Sequence, residues 1–157
     1  MAGKGMKVLG LRIEPTKARY AVLEKVDDDF SLVNADTESR LVFPANLTAP
    51  DERVNWLYRE LDRLIHEHND IEKICIKTNE YTRADNKSKR TTAHLEGVVL
   101  LFGARNNLPV DLKLYTSLST RNANVREDAE NRVGRTAMYW DTKMADAVVA
   151  AWNGART

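Results

Sequence analysis

Between residues 7 and 43 the apolar side chains recur mostly at every second position, and beyond residue 50 they recur every third or fourth, interrupted by two short runs of strand character. Period two puts alternate residues on opposite faces of a strand, whereas the longer spacing gathers them on one face of a helix. A chain patterned this way opens as an antiparallel meander and continues as alternating helices and strands. Residues 7–13 read as the first strand, Pro15 and Thr16 as a turn, and residues 19–24 as the second strand. Asp27, Asp28 and Asp29 make the next turn, and residues 30–35 together with 40–43 supply a third strand with a ragged edge.

Residues 48–52 carry helix-start chemistry, with Thr48 or Pro50 near the cap and acids in the first turn. Val54, Leu57, Tyr58, Leu61, Leu64 and Ile65 then form one apolar helical face, which Asn69 and Asp70 end. Residues 71–77 are a strand with Ile74 and Ile76 on one face. Residues 81–90 are polar and basic and read as an exposed loop, residues 91–106 as a second helix, and residues 110–115 as a further strand. The polar stretch 117–136 reads as a loop or a short exposed helix, and the Ala- and Val-rich stretch 142–152 as a buried helix.

A length of 157 residues is that of one domain, expected over residues 7–157 behind a flexible leader at 1–6. Twenty-four Lys and Arg against 23 Asp and Glu leave a formal charge of +1, so no global positive field draws the chain to nucleic acid and any such binding is local. The single cysteine, Cys75, lies in an apolar run, which excludes an internal disulfide and a cysteine-built zinc cluster and fits a reducing cytoplasm. No apolar stretch is long enough to span a bilayer, so no membrane partner is expected.

The most promising binding feature is the run Arg83, Lys87, Lys89 and Arg90 with Tyr81 at its edge, which pairs cations suited to phosphates with an aromatic suited to a base. Arg121, Arg126, Arg132 and Arg135 supply a second basic edge, blunted by the interleaved Glu127, Asp128 and Glu130. His66 and His68, two residues apart on a helix, point to different faces and read as polar surface rather than metal ligands. His94 reads as a surface position beside the basic loop. Trp56 lies off the main apolar stripe of its helix, and an exposed Trp56 or Trp140 would mark a partner or homodimer surface.

The order of elements is that of the ribonuclease H-like fold, and the local text resembles the RuvC Holliday-junction resolvases. Val8-Leu9-Gly10-Leu11 is similar to that family's first strand, Lys73-Ile74-Cys75-Ile76 to its fourth, residues 97–110 to its next helix and following strand, and residues 145–151 to its Ala-Asp-Ala closing helix. The resemblance implies an α/β fold with a mixed sheet, antiparallel in its first three strands and parallel afterwards, flanked by helices. It also implies carboxylates at the ends of the first and fourth strands, and two more one turn apart on the last helix, holding two divalent metals for phosphodiester hydrolysis. Here the first position is Arg12, the second falls on Lys77 or Thr78, and the residue one turn before Asp146 is Lys143, so Asp146 alone matches.

Cations at a metal site oppose a divalent ion by Coulomb repulsion that grows with desolvation. The expectation is therefore a RuvC-like domain lacking most of the metal-binding acids, without metal or other cofactor, acting as a non-catalytic nucleic-acid or protein-binding module. Glu14, Glu80, Asp141 and Asp146 are the set for the alternative, a nuclease or resolvase that uses Mg²⁺ or Mn²⁺ on a rearranged carboxylate site.

Overall fold

In the computed structural model, which describes residues 5–157, the strands are β1 (Met6–Ile13), β2 (Lys17–Val26), β3 (Asp29–Leu32), β4 (Arg40–Val42), β5 (Ile71–Lys77) and β6 (Val110–Lys113). They form one sheet in the order β3-β2-β1-β5-β6, with β4 also paired to β2. β1, β2, β3 and β4 pair antiparallel, and β1–β5 and β5–β6 pair parallel, so the mixed sheet implied by the resemblance is present. The third strand expected over 30–43 is instead two short strands lying end to end on the same edge of β2. Asn34 explains the break: its buried side chain accepts from the Val22 amide and donates to the Tyr20 and Glu38 carbonyls, replacing ladder bonds with side-chain ones. Of the expected leader, residues 1–4 lie outside the described residues, and β1 begins at Met6.

The helices are α1 (Pro50–Glu67), α2 (Lys87–Arg105), α3 (Val125–Arg132) and α4 (Thr142–Arg156), with a single 3-10 turn at Tyr115–Leu118. α1 has Ala49 at its N-cap with no side-chain cap bond, flanked by Thr48 and by Pro50 at the first helical position, so the helix starts where the cap chemistry predicts. α2 starts four residues earlier than the apolar spacing predicts. Asn86 caps it by accepting from the Lys89 amide, so Lys87, Lys89 and Arg90 belong to a helical first turn rather than to a loop. α3 is short, with one buried edge, Val125 and Ala129, against α4.

Two cores result, one on each face of the sheet. Leu9, Leu11, Ile13, Tyr20, Val22, Ile74 and Ile76 face α1 and α2, whereas Val8, Ala21 and Leu23 face α4. Trp56 packs partly buried against the first core, its ring 4.6 Å from that of Phe43, and Trp152 is buried in the second. Among the described residues no helix is long and apolar enough to cross a membrane.

α4 lies directly on β1 because Gly10 has no side chain. A Cβ there would run into the Ala147 carbonyl oxygen and sit 2.7 Å from the Ala151 Cβ. Gly154 makes the matching approach further along, where a Cβ would stand 2.9 Å from Val8 Cγ1. Gly10→Ala should therefore displace α4 and lower the unfolding free energy by about 3 kcal/mol, at the upper end of ordinary overpacking. Gly97, mid-helix with open space around it, should behave oppositely, Gly97→Ala gaining about 0.5–1 kcal/mol. Urea denaturation of the two variants checks both signs.

Candidate functional site

Strand alternation carries the α4-facing set Val8 and Gly10 on to Arg12, the set Lys73 and Cys75 on to Lys77, and the set Leu23 and Ala21 back to Arg19. Arg12 and Arg19 are direct partners in the β1–β2 register, and Lys77 ends the parallel neighbour β5. Three cations thus stand abreast under the N-terminal end of α4. All three are buried, at 5%, 5% and 1% exposure for Arg12, Arg19 and Lys77. Unpaired, each would cost several kcal/mol, so the site's geometry follows from how they are neutralised.

Arg12 meets Asp146 from the first turns of α4, with Nε 3.0 Å from Oδ2 and the carboxylate wholly buried. The contact is one of charge rather than an aligned hydrogen bond, since neither of these atoms has a hydrogen-bond partner. Arg12 also donates to the Lys77 carbonyl at 3.2 Å, and the Tyr115 hydroxyl donates to Asp146 Oδ1 at 2.7 Å. Burial pushes the Asp146 carboxyl above its ordinary value, against the pull of the Tyr115 hydroxyl and of Arg12, Lys77 and Lys143. Burial likewise raises the Tyr115 phenol, with Asp146 adding to the rise.

Lys77 donates to the Thr78 carbonyl and lies 3.0 Å from Glu80, with its ammonium 3.9 Å from the centre of the Tyr115 ring. Burial lowers its pKa, only partly offset by Glu80. At Glu80, burial works upward, but the Lys77 ammonium and the Tyr115 amide outweigh it and the carboxyl falls below its ordinary value. Arg19 holds Asp141 at 2.8 Å and Glu14 at 3.6 Å. Asp141 is also the N-cap of α4, accepting from the Met144 amide.

The four acids singled out from the sequence therefore do come to one end of the sheet, each beside a cation: Asp146 with Arg12, Glu14 and Asp141 with Arg19, Glu80 with Lys77. Among the described residues, no three His, Cys, Asp or Glu side chains converge as a metal-holding group. Glu14, Glu80, Arg12, Lys143 and Lys89 line a cleft of about 440 Å³.

Sequence reasoning missed Arg19, Tyr115 and Glu96. Glu96 sits buried on α2, accepts from the Thr78 hydroxyl at 3.0 Å and leaves Oε2 without a partner; burial raises its pKa. Spacing offered no signal for Tyr115, whose position depends on the 3-10 turn after β6. The basic set lies beside the cleft: Arg83 and Lys87 are exposed, Lys89 reaches back to Thr82 and the Ala84 carbonyl, and Arg90 pairs with Asp85 at 2.6 Å. Tyr81 is 86% exposed. His66 and His68 lie at the end of α1, outside this cluster, and the His66 ring contacts the Asp62 carbonyl.

No family model matches the chain, and no curated relative does. Among solved structures, the RuvC of Thermus thermophilus superposes with a TM-score of 0.74 at 15% identity, covering 94% of this chain and 92% of that one. The T. thermophilus RuvC in complex with Holliday junction substrate gives 0.73 at 17% identity over the same shares. At such identity the likeness shows the fold, and this chain has the RuvC-like, ribonuclease H-like fold.

Two substitutions test the charge lattice. Arg12→Met leaves Asp146 buried without its cation and should cost about 3–5 kcal/mol, whereas the double variant Arg12→Met/Asp146→Asn should recover more than half of that loss. Denaturant titrations of the singles and the double give the coupling. For Asp141, burial works to raise the carboxyl, but the Met144 amide and Arg19 hold it below 3.8. A carboxyl depressed in the folded state stabilises above its unfolded value and loses that contribution as the pH falls through its folded value. Asp141→Ala should therefore cost about 1–2 kcal/mol at neutral pH, with the gap to wild type narrowing as the pH drops below 3.8. Thermal melts across that range check it.

Proposed function

We propose that this chain is a RuvC-like domain in which ion pairs internal to the protein take the place of bound metal, and that it binds nucleic acid without cutting it. The observation that carries the reading is the Arg12 guanidinium 3.0 Å from Asp146, between the ends of β1 and β5 and the start of α4. The two divalent ions that the fold family implies do not fit the residues present. Asp146 already has a cation beside it, Lys77 is a second fixed positive charge in the same recess, and of the remaining acids Glu14 and Asp141 face Arg19 while Glu80 faces Lys77. Adding Mg²⁺ there would first require displacing a buried guanidinium, and Coulomb repulsion in a desolvated site opposes it.

Nucleic-acid contact is assigned to Arg83, Lys87, Lys89 and Arg90, with Tyr81 as the exposed aromatic. Lys89 lines the cleft, Lys87 and Arg90 stand on the same N-terminal turn of α2, and Arg83 lies on the segment before it. The T. thermophilus protein of the same fold is known in complex with Holliday junction substrate, which supports a nucleic-acid ligand without specifying it.

With Mg²⁺ or Mn²⁺, the protein should leave branched, duplex and single-stranded substrates intact. Cleavage that disappears in Asp146→Asn would overturn the proposal and restore the metal-nuclease reading on Glu14, Glu80, Asp141 and Asp146. At low salt it should bind nucleic acid, and replacing Lys87, Lys89 and Arg90 with Ala should weaken every sequence alike. The slope of log affinity on log salt should flatten by no more than about three phosphate contacts. Unchanged binding in that triple variant would remove the rim from the reading.

A further inference from the structure

A larger recess lies on the other side of the β1–β2 turn. It holds about 1070 Å³ between that turn, β4, the loop that follows β4, and the first turns of α1 and α2. We propose that this groove binds an extended acidic peptide, which adds a strand to the open edge of β4.

The edge is derived from register. β4 pairs with β2 as Lys17↔Val42, Ala18↔Leu41 and Arg19↔Arg40. On either side of these pairs, the Tyr20 amide donates to the Ser39 carbonyl and the Phe43 amide to the Thr16 carbonyl. Bonded and non-bonded pairs alternate in an antiparallel ladder, so Leu41 is the residue that bonds to β2. The N–H and C=O groups of Arg40 and Val42 consequently point away from the sheet, and β4 has no strand on that side among the described residues. Unpaired edge groups of this kind are what a β-augmenting peptide takes up.

Charge selects an acidic occupant. Lys17, Arg40, Arg53, Lys87, Arg90 and His94 line the groove against a single acid, Asp85. Of the five Lys and Arg side chains only Arg90 is in a salt bridge among the described residues, and it takes up Asp85.

The floor selects a peptide over a nucleic acid. It is made of aliphatic and proline side chains, with Val42 53% exposed. Its one aromatic, Phe43, is buried, with the Arg53 guanidinium 4.2 Å from its ring centre and Trp56 packed beside it. A base would find only the His94 imidazole to stack on, whereas an added strand presents alternate side chains, apolar ones to the floor and acidic ones to the cations. Pro15, Pro44 and Pro50 stiffen the walls, which reduces the ordering that binding would require.

The test uses the full chain and a fluorescein-labelled seven-residue peptide of alternating Asp and Val, read by anisotropy. Val42→Pro removes only an N–H that points away from β2, so the ladder to β2 survives and the melting temperature should stay within a few degrees. This variant should bind the peptide at least about tenfold more weakly, and Lys17→Glu should weaken it about fivefold at low salt and less at high salt. A peptide N-methylated at alternate residues should lose binding to the wild type by a similar factor, which keeps the test intact if Val42→Pro does not fold.

Lys87 and Arg90 line the groove and also belong to the nucleic-acid set, but Val42→Pro leaves both side chains in place, so nucleic-acid affinity should be the same in that variant and the two proposals fail separately. The groove proposal is overturned if the peptide does not bind, if a folded Val42→Pro or the N-methylated peptide binds as well as its parent, or if a single-stranded oligonucleotide of equal charge binds with the same dependence on Val42.

Discussion

A wholly buried carboxylate at the head of α4 must be neutralised, and Arg12 is the group that does so. An uncompensated charge at that depth would cost several kcal/mol, a large part of what a domain of this size has to hold it folded. Positive charge from outside or from within can neutralise such a carboxylate. Divalent ions do it in the two-metal chemistry that the resemblance implies, and here the positive charge is covalently part of the neighbouring strand. The two solutions satisfy the same electrostatic requirement and differ in what they leave available, since a guanidinium can neither ionise a bound water nor take a phosphate oxygen into its coordination sphere.

Once Arg12 occupies that position, the adjacent choices are constrained. Arg19 is its direct partner across the β1–β2 ladder, and like charges side by side on a sheet repel. Asp141 and Glu14 at Arg19 relieve that repulsion, and Glu80 does the same for Lys77 on the other flank. Asp141 acts twice, since the carboxylate that pairs with Arg19 also caps α4 and so fixes the helix that carries Asp146. The close approach at Gly10 makes this arrangement possible, because a side chain there would push α4 away from β1 and separate Asp146 from Arg12.

Much of this was legible in the sequence because it rests on periodicity. The alternation that reads residues 7–13 as a strand also puts Gly10 and Arg12 on one face, and the Ala-rich run around Asp146 announces a helix that packs closely. The substitution of cations at Arg12, Lys77 and Lys143 could be seen only by way of the resemblance. What escaped depends on contacts without a period. Tyr115 arrives from a single turn of 3-10 helix, Glu96 is an acid on a mostly apolar helical face, and Arg19 is distinguished from other strand cations only by what α4 brings to it. The start of α2 was missed for a different reason: its first turn is entirely polar, and the signal that fixes it is one Asn86 side chain accepting from the Lys89 amide. In α3, two buried residues a turn apart, Val125 and Ala129, are too few to register as an apolar stripe.

The charge balance of the whole chain conceals an unequal distribution. At the site, Asp146, Glu14, Asp141 and Glu80 each face Arg12, Arg19 or Lys77, so their charges project little field outward. At the surface on the same end of the sheet, Lys17, Arg53, Lys87, Lys89 and Arg90 surround the two recesses that flank the β1–β2 turn, and Asp85 is the one acid paired with any of them among the described residues. A formal charge of +1 over 157 residues is therefore compatible with a locally basic face. Opposite charges inside hold the sheet to α4, and at the rim Lys17, Arg53, Lys87 and Lys89 carry no salt bridge among the described residues. That division accounts physically for how the architecture can be kept with cations, rather than acids, at the head of α4 and around the recesses beside it.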